Sequence, residues 1–165
     1  MESDAIVEKV RAFDCRFIEF TGGEPLEQAE CFTLMAKCCE LGFTVAVETG
    51  GHIDISSVDP CVVKIMDLKC PGSGMEKKNR YENIDTLTKK DEVKFVIADE
   101  QDYVWSRSMV EKYNLIERCG DVLFSPVFGV MDYQKLAARI LRDGLQVRMQ
   151  LQMHKFIWHP MSRGV

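Results

Sequence analysis

The sequence lacks several features that mark particular classes of protein. No apolar run approaches the ~20 residues that a membrane-spanning helix needs. Positive charge is not in excess, because 21 Lys and Arg oppose 26 Asp and Glu and leave a net charge of −5. The first residues include Glu2 and Asp4 and lack the apolar segment of a signal peptide. We therefore expect a cytoplasmic protein that binds neither nucleic acid nor membrane.

What the sequence does contain is the composition of a folded domain. Apolar residues make up 46% and charged residues 28% of its 165 residues. A chain of this length can bury a sizeable core, and no repeat or linker divides it. We predict one domain over residues 1–165.

Seven cysteines are present, and without a secretory signal they are expected to be reduced thiols. Their spacing along the chain matches no metal-binding motif. Cys31, Cys38 and Cys39 fall in a helical pattern, where free cysteines usually pack as small apolar side chains. We therefore predict no metal ligand in this chain.

Strand-like and helix-like runs alternate along the chain. We predict strands over residues 15–20, 43–48, 62–68, 92–98, 122–124 and 147–151. Helices are predicted after Ser3, over residues 25–41, around residues 104–110 and after Asp132. This alternation predicts an α/β fold whose parallel sheet has right-handed crossovers. Residues 48–62 are too few for a full crossover helix, and residues 70–80 are predicted to form a loop.

A glycine pair, an acid and a proline lie between the first predicted strand and the next helix, as Thr21-Gly22-Gly23-Glu24-Pro25. Glycines allow backbone to approach a ligand closely because they have no Cβ. Glu24 offers a carboxylate there, and Pro25 suits the first position of a helix. Such a turn can hold a small ligand with an ammonium group, although an ordinary tight turn has the same pattern.

Further polar residues follow the other predicted strands. Ligands of parallel sheets bind at the carboxyl ends of the strands, so these residues are expected to share one edge. They are Glu48 and Thr49, Asp67 and Lys69, Ser125, and Gln152 and His154. Each also has a structural interpretation: Glu48 as a strand exit, Lys69 as a partner of Asp67 or a solvated lysine, Ser125 as part of a turn, and His154 as a structural histidine.

The Thr21–Pro25 turn resembles the cofactor-binding turn of radical S-adenosylmethionine enzymes. Within that superfamily the chain most resembles the 7-carboxy-7-deazaguanine synthases. Segments carrying this resemblance follow in order: VETGG (47–51), MDLKCPGSG (66–74), DEVKFVI (91–97), SPVF (125–128), QLQMHKFIW (150–158) and RGV (163–165).

The resemblance implies a partial radical S-adenosylmethionine core, an incomplete βα barrel with a mostly parallel sheet. Family members hold a [4Fe-4S] cluster with a C-x3-C-x2-C loop before the glycine turn, whereas Cys15 is the only cysteine before Thr21 here. We therefore expect an N-terminally truncated core without its first strand, cluster loop and Mg²⁺ ligand. A cropped sequence, a mis-assigned start and a natural truncation would all have this pattern.

The resemblance also implies site residues, although no catalytic residue. For S-adenosylmethionine they are Gly22, Gly23, Glu24, Glu48, Thr49, Lys69, Ser125, Pro126, Val127 and Phe128. For the substrate they are Thr21, Gln152, His154 and Pro160.

The implied reaction is the conversion of 6-carboxy-5,6,7,8-tetrahydropterin to 7-carboxy-7-deazaguanine with loss of ammonia, a step of queuosine and deazapurine biosynthesis. S-adenosylmethionine, a [4Fe-4S] cluster and Mg²⁺ are the implied cofactors. Flavodoxin or ferredoxin is the implied electron donor, and a homodimer the implied assembly. Two alternatives stay open: another radical enzyme, such as an activating enzyme, and a non-catalytic remnant that binds a ligand or dimerises.

Overall fold

A six-stranded parallel sheet forms the centre of the computed structural model, which describes residues 3–162. Its strands are β1 (Phe17–Phe20), β2 (Thr44–Thr49), β3 (Val63–Asp67), β4 (Glu92–Ile97), β5 (Asp121–Pro126) and β6 (Arg148–Met149). Their spatial order is their order in the chain, and every neighbouring pair is parallel. The sheet does not close, so the predicted α/β fold with an incomplete βα barrel is confirmed.

Helices connect most of the strands. The connecting helices are α2 (Ala29–Glu40), α3 (Glu100–Lys112), α4 (Leu115–Arg118) and α5 (Tyr133–Arg142), while α1 (Ser3–Arg11) precedes β1 and α6 (His154–Ile157) follows β6. Asp99 caps α3 by accepting from the backbone N–H of Asp102, and Asp132 caps α5 in the same way. No helix between residues 3 and 162 combines the length and the apolar character that crossing a bilayer requires.

The two faces of the sheet differ in chemistry because successive residues of a strand point to opposite faces. One face carries Val45, Val47, Val93, Phe95 and Phe124, all fully buried under the helices. Phe95 and Phe124 meet edge to face with ring centroids 5.6 Å apart. The core therefore lies between the sheet and the helices, which leaves the other face free for polar side chains.

The link from β2 to β3 has no crossover helix, as the sequence predicts. The buried amide of Asn83 holds this link instead. Its Nδ2 donates to the carbonyls of Gly51 (3.1 Å) and Ile53 (2.7 Å), and its Oδ1 accepts from the N–H of Ile55 (3.3 Å). These hydrogen bonds hold the link, while Ile55 and Val58 within it pack into the core.

Some predicted boundaries are wrong. The helix predicted to begin at Pro25 begins at Ala29, because residues 25–27 form a separate 3₁₀ turn and Gln28 is extended (φ −102°, ψ 109°). The last strand spans only Arg148–Met149, and a short helix that the sequence did not predict, His154–Ile157, follows it. The loop at residues 70–80 includes two 3₁₀ turns, Pro71–Ser73 and Glu76–Lys78.

A buried ion pair fixes β3 against the entry to β4. Asp91 is fully buried and accepts from the N–H of Lys64 (2.9 Å) and from both the N–H and the hydroxyl of Thr88 (2.9 Å each). The Lys64 ammonium lies 3.2 Å from the second oxygen of Asp91. These contacts satisfy a charge that would otherwise be costly inside the core.

Replacing Asp91 with Asn should destabilise the fold by about 3–5 kcal/mol, because the Lys64 ammonium would then be buried without a counter-charge. Urea unfolding of the purified chain measures this difference. Asp85→Asn is the matched control: its side chain is 78% exposed and pairs with Arg118 at the surface, where such pairs contribute little. Equal effects of the two substitutions would contradict a stabilising role for the buried pair.

Candidate active site

The glycine pair forms an open turn at the carboxyl end of β1. Gly22 (φ +86°) and Gly23 (φ +54°) both adopt backbone angles that side chains disfavour. A Cβ at either position would meet nothing within 4 Å. Backbone conformation, and not crowding, thus requires glycine here, and the open space lets a ligand reach the backbone directly.

The carboxylate of Glu24 ties this turn to the end of β2. One oxygen accepts from the N–H of Leu26 (3.2 Å), and the other from the hydroxyl of Thr49 (2.9 Å) and the N–H of Gly50 (2.8 Å). Nδ1 of His52 lies 3.6 Å from that second oxygen. Glu24 is only 9% exposed, so it positions the turn in addition to any contact that it makes with a ligand.

Asp67 and Lys69 lie at the end of β3, two strands along from β1, and Cε of Lys69 approaches Gly50 at the end of β2. The Lys69 ammonium donates to Oδ2 of Asp67 (2.8 Å), which is the pairing that the sequence left open. The backbone of Lys69 is fixed by the amide of Asn79, with bonds of 2.9 Å to both its N–H and its carbonyl. Among the described residues, the buried Oδ1 of Asp67 has no hydrogen-bond partner. An unpaired buried acceptor of this kind is uncommon in folded proteins.

A cavity of about 480 Å³ lies on the polar face of the sheet, next to the turn. It brings together five of the residues predicted from the sequence: Thr21, Glu48, Ser125, Gln152 and His154. The rest of its lining is Glu19, Lys94, Val96, Gln150, Leu151, Met153 and Ser162.

Charges inside the cavity are arranged around Lys94. Its ammonium donates to Oε1 of Glu48 (2.9 Å), while the hydroxyl of Thr21 lies 3.4 Å from Oε2 of the same carboxylate. Burial, and then the negative charge of Glu48, raise the pKa of Glu19 above its ordinary value. The cavity therefore offers one cation and two carboxylates that a polar ligand could engage.

Sequence reasoning missed Glu19, Lys94 and His52. A signal for Lys94 was present, because Glu92 and Lys94 alternate with the apolar residues Val93 and Phe95 in β4. That alternation places Lys94 on the face away from the helices. His52 had no such signal, since its position beside Glu24 depends on the fold of the β2–β3 link.

Other residues predicted from the resemblance lie apart from this cavity. Phe128 packs against Phe156, with ring centroids 5.5 Å apart, and the N–H of Val127 bonds to the carbonyl of Ile97 (2.9 Å). Pro126 pairs in register with Ile97 on the helix-covered face, and the carbonyl of Pro160 accepts from Lys155. Their ligand roles stay predictions. The segment at residues 163–165 lies outside the described residues.

The described residues do not fit a [4Fe-4S] cluster, which needs three cysteine thiolates on one cube. Within residues 3–162, the single group of three converging Cys, His or acidic side chains is Cys39, Asp59 and Cys61, which has only two thiols. Burial raises the pKa of the Cys70 thiol to about 12, and Cys70 is not part of that group. Within the same residues, no three carboxylates converge near the cavity to hold Mg²⁺.

Comparisons with known proteins extend this picture. No family model matches the chain. The 7-carboxy-7-deazaguanine synthase of Chlorobaculum tepidum is 43% identical over 100% of this chain and 76% of its own length. The enzyme of the same name from Koribacter versatilis is 41% identical over 90% of this chain and 71% of its own, and that from Methanospirillum hungatei is 34% identical over 87% and 59%.

A solved structure of Streptococcus suis SuiB bound to S-adenosylmethionine resembles this chain in fold. The TM-score is 0.54 at 13% identity, and the match covers 90% of this chain and 42% of that one. This chain therefore shares the fold of that S-adenosylmethionine-bound protein over most of its length. At the level of sequence the chain belongs to the 7-carboxy-7-deazaguanine synthase family.

Replacing Glu48 with Gln should lower the pKa of Glu19, because the negative charge of Glu48 helps to raise it and Lys94 would lose its present partner. Carboxyl-detected NMR titration of the folded chain measures that pKa. The control is Glu27→Gln, which removes an exposed carboxylate outside the cavity. If Glu19 titrates at the same pH in all three proteins, its carboxyl does not sense Glu48.

Proposed function

We propose that this chain binds S-adenosylmethionine at the Gly22–Glu24 turn and a carboxylated pterin in the adjoining cavity. Its reaction would be that of its family, the formation of 7-carboxy-7-deazaguanine. One observation carries the proposal: Thr21 lines the cavity, and the open glycine turn begins at the next residue. Two ligands held there would lie against each other, as a radical transfer between them requires.

Contacts around the turn support the first ligand. S-adenosylmethionine carries an ammonium group, and the remaining lone pairs of the Glu24 carboxylate can accept from it. The Lys69 ammonium can pair with the carboxylate of S-adenosylmethionine, since it donates to only one oxygen of Asp67. When bound, S-adenosylmethionine supplies the radical chemistry, while the protein orients the ligands and excludes water.

The cavity suits the second ligand. A pterin is flat and rich in N–H groups, which Glu19 and Glu48 can accept, and the amides of Gln150 and Gln152 can match its carbonyl. Lys94 can take the carboxylate of the substrate. We therefore assign Glu48 to the substrate side, while its strand neighbour Thr49 supports the cofactor turn through Glu24.

The proposal extends to partners by family resemblance. We include a carbon–nitrogen lyase reaction, an electron donor such as flavodoxin or ferredoxin, a homodimer and a cytoplasmic location. Residues 3–162 do not supply the ligands of a [4Fe-4S] cluster or of Mg²⁺. Electron transfer is therefore not a role that we assign to these residues.

A ligand-binding protein without turnover is the second candidate. The observation behind it is that the glycine turn and the charged cavity can hold ligands by shape and charge alone. An activating enzyme is less well supported, because all seven relatives of significant similarity are 7-carboxy-7-deazaguanine synthases by name. Both remaining candidates share the two ligand sites, which can be tested without turnover.

Replacing Glu24 with Gln should weaken S-adenosylmethionine binding by about 10- to 100-fold, because a charge-assisted hydrogen bond contributes about 1.5–3 kcal/mol. Anaerobic calorimetry on the purified chain measures the affinity. Glu27→Gln is the matched control, since Glu27 follows Glu24 by three residues and its side chain is exposed. Equal affinity in the Glu24 and Glu27 variants, or no binding by the unaltered chain, would refute the cofactor site.

Replacing Lys94 with Met should weaken binding of the product, 7-carboxy-7-deazaguanine, by a similar factor, because the ligand carboxylate loses its cation. Affinity for S-adenosylmethionine should stay unchanged, which separates the two sites. The control is Lys89→Met, because Lys89 lies outside the cavity and its side chain is 64% exposed. A parallel loss of both ligands in the Lys94 variant would mean that this lysine only supports the fold.

A further inference from the structure

Cys39, Asp59 and Cys61 meet at the end of the sheet opposite the glycine turn. Cys39 lies in the last turn of α2, and residues 59–61 immediately precede β3. Their ligand atoms, two sulfurs and a carboxylate oxygen, all lie within 4.8 Å of one another. Because β2 and β3 begin here, this cluster is separated from the cavity by the length of the strands.

The chemistry of these side chains suits a borderline-soft divalent cation. Two thiolates and one carboxylate are ligands that Zn²⁺ accepts, with water in the fourth position. Zinc–sulfur bonds of about 2.3 Å place neighbouring sulfurs roughly 3.8 Å apart in a tetrahedron. The atoms need to approach by about 1 Å at most from their present separations. Mg²⁺ and Ca²⁺ prefer oxygen ligands and are disfavoured by the thiols.

The turn that carries two of these residues is already fixed. Oδ1 of Asp59 accepts from the N–H of Cys61 (2.7 Å), and the carbonyl of Asp59 accepts from the N–H of Val62 (3.0 Å). The Lys90 ammonium donates to the carbonyls of Pro60 and Val62. Hydrogen bonds therefore orient Cys61 before any ion arrives, and the second oxygen of Asp59 remains for the ion.

Access to the cluster is open as well. Cys61 is exposed, whereas Cys39 and Asp59 are partly buried. An ion and its water ligand can therefore reach the sulfurs from solvent. The fully buried thiols of Cys70 and Cys119 offer no such path.

We propose that Cys39, Asp59 and Cys61 bind one Zn²⁺, which joins the end of α2 to the start of β3. The β2–β3 link has no crossover helix to hold it, and the amino end of a parallel barrel is where residues serve stability. Sequence motifs for metal binding consider only cysteines that lie a few residues apart, so they predict no metal ligand here. Cys39 and Cys61 are far apart in sequence, and only the fold brings them together.

A zinc titration tests this proposal. The chain is first stripped of metal with a chelator and kept reduced with a phosphine, and a chromophoric chelator then competes with it for Zn²⁺. We expect one tightly bound Zn²⁺, and a thiolate-to-metal charge-transfer band when Co²⁺ replaces it. Cys39→Ser and Cys61→Ser should each weaken binding more than about 100-fold, since even residues that only orient a ligand are worth about 10–100-fold. Zinc should also raise the melting temperature of the unaltered chain but not that of Cys61→Ser.

The matched control is Cys31→Ser, because Cys31 is a partly buried cysteine on the same helix but outside the cluster. It should bind zinc as the unaltered chain does. Cys61 is exposed, so Cys61→Ser should fold normally, and circular dichroism checks this. Absence of one-to-one binding, or binding retained in Cys61→Ser, would overturn the proposal. So would a Cys39–Cys61 disulfide whose reduction yields no zinc site.

Discussion

The hydrogen bonds of the Glu24 carboxylate are the interaction on which the candidate site at the carboxyl ends of the strands depends. They join the turn after β1 to the end of β2 through Thr49 and Gly50. Neither Gly22 nor Gly23 has a side chain to hold that turn in place, and the space around them is open. A buried carboxylate also requires its donors, because an unpaired charge at that depth is costly. The same contacts thus satisfy the charge and fix the turn.

The two-residue period of the strands decides where chemistry is possible. In β4, Phe95 faces the helices and Lys94 faces the cavity. In β2 the same rule separates neighbours: Glu48 reaches Lys94, whereas Thr49 supports Glu24. Residues that are adjacent in sequence therefore make contacts in different parts of the candidate site, which a sequence motif alone does not reveal.

Much of the fold could be predicted from the sequence, because buried parallel strands and amphipathic helices have different periods. Six strands and their parallel order follow from that alternation. The start of α2 could not, because the cap made by Glu24 creates a separate turn before Ala29. Site residues at strand ends were predictable from topology. Cys39 and Cys61 were not, because their proximity exists only after the β2–β3 link has folded.

The ion pair between Lys94 and Glu48 limits which ligand the cavity can select. A carboxylate that approaches Lys94 must compete with Glu48, so a simple anion gains little from this cation. A ligand that also has N–H donors can replace Lys94 as the hydrogen-bond partner of Glu48, while the Thr21 hydroxyl remains beside that carboxylate. Selection then favours a carboxylate and ring N–H groups in one molecule, since either alone leaves a partly buried charge unpaired. A carboxylated pterin, the ligand that we propose for this cavity, has both groups.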